Sequence, residues 1–155
     1  MSELHDAVGN ARESIRILTR DPVTKLLLAN SQLTLPQLET LLADSLSREA
    51  DTKKVVRQRY RPSGRDLSRG AFNRTLIQAQ NNVIRSIYTV LLLGHVGLYD
   101  SPSLQPFIEL ADTIQSYVQE NREAGVKERA ILQELHLRLL DTITSLAKRQ
   151  SFKDG

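Results

Sequence analysis

The chain has 155 residues, 40% of them apolar and 25% charged, with a net charge of +3 and no cysteine. That size and balance predict one folded domain over residues 1–155. The lack of cysteine excludes disulfides and thiolate metal sites and suits a cytoplasmic location. The polar, acidic opening predicts no secretory leader. The longest apolar stretch, Val90 to Leu93 with Val96 and Leu98 beyond, is too short for a membrane span, so no membrane partner is expected. Without tryptophan, and with aromatics at 5%, the chain is poorly supplied for base-stacking platforms.

In chain order, residues 3–19 predict a helix capped by Ser2. Leu4, Val8, Ala11, Ile15 and Leu18 form a heptad-like seam along it. Asp21 followed by Pro22 is a helix start, with Asp at the cap and Pro at the first helical position. The short helix that follows ends near Asn30 and offers Val23, Leu26, Leu27 and Leu28 for burial. Thr34 with Gln37 three residues on predicts a capping box for the next helix. Its expected apolar face is Leu35, Leu38, Leu41, Leu42 and Leu46, and Asp44 and Glu49 are expected to leave its outer face acidic.

Residues 50–60 read as a helical extension, with a short strand through Val55, Val56 and Tyr60 as the alternative. Pro62-Ser63-Gly64 predicts a turn inside a loop at 61–67. Ser68 then caps a long central helix that runs over 69–94. Beyond Gly94 and Gly97, a helix carries Phe107, Leu110, Ala111, Ile114 and Val118 on one face. Residues 121–125 break it. A last helix over 127–149 carries Ile131, Leu135, Leu139 and Leu146, widened by Leu132 and Leu140. The expected fold is all-α: a multi-helix bundle with a long central helix and a loose helix-turn-helix-like arrangement. About twenty residues separate the 35–47 helix from the central one, against the three or four of a tight helix-turn-helix.

The functional signal lies between Lys53 and Arg85. Nine cations stand there against one acid, Asp66, so the segment carries +8 and the remainder −5. A polyanion is the partner such asymmetry predicts. On a helical period, Phe72, Leu76, Ala79, Val83, Ile87 and Val90 share one side of the central helix. Arg74, Gln78, Asn81, Arg85 and Tyr88 share the other, and no acid occurs from Gly70 to Val90. The polar first turns are expected to face a partner, and the last turns, with Leu91, Leu92 and Leu93, to be buried.

Arg pairs with guanine, and Asn and Gln with adenine, across the major groove. A helix presenting those side chains in its opening turns matches how recognition helices dock. The expected function is therefore binding of double-stranded DNA, as a transcriptional regulator or nucleoid-associated protein. The basic segment 53–69 and the central helix form the binding unit. Lys53, Lys54, Arg57, Arg59, Arg61 and Arg65 are expected to hold phosphates. Arg69, Asn73, Arg74, Gln78 and Asn81 are expected to approach the bases, and Arg85 continues the same nucleic-acid-binding face. The seams of the first and last helices predict a homodimer, with 127–149 a candidate interface. The alternatives are a helical adaptor that docks an acidic protein, and a binder of structured RNA.

No catalytic fingerprint occurs. His5, His95 and His136 are scattered, and Glu39 with Asp44, or Glu120 with Glu123, reads as surface charge. No catalytic residue, cofactor or metal ligand is expected.

Overall fold

The structure, a computed structural model, describes residues 2–49, 57–63, 67–97 and 105–148. The protein is all-α. Six α-helices and one turn of 3-10 helix make up its regular structure among the described residues. The helices are α1 (Ser2–Arg20), α2 (Pro22–Ala29), α3 (Leu35–Glu49), α4 (Arg69–His95), α5 (Gln105–Glu123) and α6 (Glu128–Lys148). The 3-10 turn spans Arg57–Tyr60, part of the stretch expected to be helical extension or strand; residues 50–56 lie outside the described ones.

Local signals set the boundaries. The Asp21 carboxylate accepts from Thr24 N–H at 2.8 Å, and Pro22 opens α2. At α3 the capping box closes both ways: Thr34 N–H donates to Gln37 Oε1 at 3.1 Å, and Gln37 N–H to Thr34 Oγ1 at 3.4 Å. Ser68 Oγ accepts from Ala71 N–H at 3.1 Å at the start of α4. Gly125, at φ +74°, lets the chain leave α5 in a left-handed turn. There Val126 N–H donates to Asn121 C=O and Gly125 N–H to Arg122 C=O, which satisfies carbonyls the helix end would leave open.

The chain divides into two compact units, residues 1–85 and 86–155. In the first, α1 packs on α2, α3 and the 3-10 turn, and α3 packs on that turn as well. Ala11, Ile15, Ala43, Tyr60, Phe72 and Leu76 form its core, with Val8, Leu41, Leu42, Leu46 and Leu67 against it. Two of the expected seam residues, Ala11 and Ile15, are buried, whereas Leu18 is exposed. In the second unit, α5 and α6 form an antiparallel pair around Val118, Ile131 and Leu135. Arg138 lies over the Tyr117 ring at 4.9 Å and donates to Glu134 at 2.8 Å, a hydrogen bond that raises the guanidinium pKa above its ordinary value.

Two expectations about faces are corrected. The buried residues of α3 are Glu39, Thr40, Ala43, Asp44 and Ser47, while the expected face residue Leu35 is exposed and Leu41, Leu42 and Leu46 only flank the core. A polar strip can be buried because its groups are satisfied: Thr40 Oγ1 donates to Pro36 C=O at 2.7 Å and Ser47 Oγ to Asp44 C=O at 2.8 Å. Asp44 is therefore no part of an acidic outer face.

The second correction reverses α4. Phe72, Leu76 and Ala79, in its first half, are the buried ones, while Val83, Ile84, Ile87, Tyr88, Leu91 and Leu92 are exposed. Periodicity identifies an apolar side, but a side is buried only as far as other elements reach along it. Leu76 and Ile77 are adjacent in sequence yet stand at 6% and 56% exposure. Leu76→Ala should therefore cost about 3 kcal/mol of unfolding free energy, against less than about 1 for Ile77→Ala. Urea unfolding followed by circular dichroism measures both.

Candidate nucleic-acid interface

The arginines of the 3-10 turn and its following loop divide between inside and outside. Arg57 is turned inward. Its Nη1 donates to Asp44 Oδ1 at 2.6 Å, its Nη2 donates to Asn73 Oδ1, and its guanidinium lies 5.2 Å from the Phe72 ring centre. The other Asp44 oxygen takes Arg48 at 2.6 Å from the same helix. One side chain thus links α3, the 3-10 turn and the first turns of α4. Arg61 is buried as well, with its Nε 3.6 Å from Glu39 Oε2, an ion pair too long for a hydrogen bond. Ser63 Oγ bridges the two, donating to Glu39 and accepting from Arg61 Nη2.

These contacts change the expected account of phosphate binding. Arg57 and Arg61 meet carboxylates inside the fold, so their charge is compensated there. Glu39 and Asp44, read from the sequence as surface charge, are the compensating groups. No local sequence signal marks this pairing, because the partners lie 13 and 22 residues apart and meet only once the turn has packed on α3.

Among the described residues, the exposed cations of the region are Arg59, Arg69, Arg74 and Arg85. Arg59 is positioned through its backbone, whose carbonyl accepts from Arg12 Nε of α1. Lys53, Lys54 and Arg65 lie outside the described residues. Arg74, Gln78, Asn81 and Arg85 are all exposed along one side of α4, opposite the buried Phe72, Leu76 and Ala79. The structure brings these four together as the sequence predicts. Asn73 stands apart from them, since its side-chain oxygen serves Arg57.

Asn82, which sequence reasoning passed over, holds the helix in place. Its Nδ2 donates to Gln32 C=O at 3.1 Å and to Gln37 Oε1 at 3.2 Å, so the capping residue of α3 also tethers α4. A cavity of about 150 Å³ opens beside the start of α4, lined by Arg57, Gln58, Arg69, Phe72 and Asn73. Among the described residues no cluster of His, Asp and Glu could hold a metal ion, and no helix is long and apolar enough to cross a membrane.

No protein-family model, curated protein or solved structure matches this chain.

The Asp44–Arg57 pair is mostly shielded from water, so removing Asp44 leaves the Arg57 guanidinium uncompensated, whereas removing Arg57 leaves Asp44 still paired with the exposed Arg48. Asp44→Ala should destabilise the protein by about 3 kcal/mol, and Arg57→Ala by less. The double variant should lose less than the two single losses combined. Equilibrium unfolding of the three variants completes the cycle; simple additivity would mean that the two side chains are not coupled.

Proposed function

We propose that residues 1–85 bind double-stranded DNA through the exposed side of the first half of α4, with the protein acting as a sequence-reading regulator or nucleoid component. One observation carries the reading. Arg74, Gln78, Asn81 and Arg85 stand together on an exposed side of a helix that has no acidic residue along its whole length. A side that serves only to keep a helix soluble normally mixes both signs of charge. This one has donors and acceptors suited to guanine and adenine edges. Ile77, exposed beside it, can meet a thymine methyl.

The charge distribution agrees. Through Arg85 there are fourteen cations and nine acids, a net +5, while beyond it seven cations face nine acids, a net −2. The positive potential is thus concentrated in the unit that carries the polar side of α4. In this reading Arg59 holds backbone phosphates, and so does Arg69, which the sequence assigns to bases but which stands off the row; Arg74, Gln78 and Asn81 read bases, with Arg85 at the end of the row. Duplex DNA is favoured over structured RNA because B-form DNA has a major groove wide enough for a helix, and A-form RNA does not. Arg57 and Asn73 have supporting roles in this reading: they fix the first turns of α4, while Arg61 pairs with Glu39 of α3.

Binding should therefore depend on salt less steeply than the count of nine cations suggests. A log–log slope between about −4 and −6 is expected, the shallower value for the four exposed arginines and the steeper if Lys53, Lys54 and Arg65 also engage. Fluorescence anisotropy with labelled duplex across a salt series gives the slope. After selection of a preferred site, Arg74→Ala and Gln78→Ala should each weaken binding to that site by about 1–3 kcal/mol and to random duplex by much less. Absence of binding at low salt would remove the reading. Tighter binding to an RNA hairpin, or to an acidic protein alone, would replace it.

A further inference from the structure

The cavity beside the start of α4, about 150 Å³ in volume, is lined by Arg57, Gln58, Arg69, Phe72 and Asn73 and by none of the exposed row Arg74 to Arg85. It has room for a group of several heavy atoms. Its walls come from two segments, the 3-10 turn and the first turns of α4. Their chemistry is one-sided. All the lining side chains except Phe72 carry N–H donors, and among the described residues no Asp or Glu lines the space.

Donor capacity remains on these walls. Arg57 gives one N–H bond to Asp44 and one to Asn73, and a guanidinium has further donors. Asn73 accepts through Oδ1, which leaves its amide N–H groups for a ligand. Positive charge remains as well. Asp44, the carboxylate bound to Arg57, is shared with Arg48, so these three groups keep a net positive charge, and Arg69 adds another. Gln58 supplies the discriminating feature. Its Oε1 is buried with no hydrogen-bond partner among the described residues. A buried acceptor without a donor costs stability, so a ligand that brings a proton to it is favoured.

We propose that this cavity binds a phosphate group that keeps a proton, as inorganic phosphate or as a phosphate monoester. The anionic oxygens accept from Arg57, Arg69 and the Asn73 amide, and the P–OH donates to Gln58 Oε1. A tetrahedral group suits donors that converge from two segments. A carboxylate is planar and at neutral pH has no proton to give. Sulfate has the right shape but no proton. A phosphate monoester loses its second proton at a pKa of about 6, so the monoanion is accessible near neutral pH. A phosphodiester has no such proton, so this site is not a contact to the DNA backbone and does not depend on DNA binding. Arg69 is common to both readings, and Gln58 belongs to this one alone.

Calorimetric titration of the full chain at fixed ionic strength, with inorganic phosphate, methyl phosphate, dimethyl phosphate and sulfate, tests the proposal. Inorganic phosphate or methyl phosphate should bind at least about tenfold more tightly than sulfate or dimethyl phosphate. The tighter of the first two identifies the source, free phosphate or a monoester. Gln58→Leu should lower phosphate affinity to that of sulfate and leave sulfate little changed. Arg69→Ala should weaken phosphate binding by about fivefold or more, whereas Arg74→Ala, outside the cavity, should not alter it. No heat of phosphate binding at millimolar concentration overturns the proposal. Equal binding of sulfate or dimethyl phosphate overturns it too, because the proton would then play no part. Phosphate binding that both Gln58→Leu and Arg69→Ala leave intact is general charge attraction and also overturns it. The selectivity of the wild type needs no variant, so misfolding of Gln58→Leu leaves the test in place. None of these titrations contains DNA, so their failure is separate from failure of the DNA reading.

Discussion

Arg57 has three contacts at once: the Asp44 carboxylate, the Asn73 amide oxygen and the face of Phe72. They belong to α3 and to the first turns of α4, which the 3-10 turn joins through this one side chain. Apolar contact is strong but indifferent to rotation, because a helix can turn or slide on a greasy surface at little cost. A hydrogen-bonded ion pair is not indifferent. In a site shielded from water, a displaced guanidinium leaves Asp44 only the exposed Arg48 for compensation, at a cost on the order of a few kcal/mol. The pair contributes definition more than net stability: it sets which side of α4 faces inward, and so which side faces out.

The polar side of α4 inherits its exposure from that constraint. Phe72, Leu76 and Ala79 are buried, Arg57 anchors the first turns through Asn73, and Asn82 anchors the middle through Gln32 and Gln37. With the helix held at both points, Arg74, Gln78, Asn81 and Arg85 project from a rigid support. Rigidity matters for reading bases, because bidentate hydrogen bonds lose strength steeply with small angular errors. A flexible basic arm could hold phosphates as well, but it could not discriminate in this way.

The same helix changes character along its length. Its first half is anchored and polar outward; its second half has no Asp, Glu, Lys or Arg, carries His95 in its last turn, and leaves Tyr88 and Leu92 exposed.

Much of this was legible in the sequence. Helix starts were, because caps are local: Asp21 with Pro22, Thr34 with Gln37, and Ser68 each act within three residues. The all-α class and the exposed row on α4 were legible too, because a period of 3.6 residues is written in the order of residues along the chain. Three features needed the tertiary structure. Arg57 and Arg61 read as free cations, since nothing near them in sequence reveals Asp44 and Glu39. The leucines of α3 read as its buried face, since only packing shows that Ala43 and the self-satisfied Thr40 and Ser47 face inward. The leucine-rich end of α4 read as core, since hydrophobicity states what a surface would gain by burial, not whether another element arrives to bury it. Local order along the chain determined the elements and their polarity, and the meeting of distant segments decided which charges and which apolar surfaces remained for a partner.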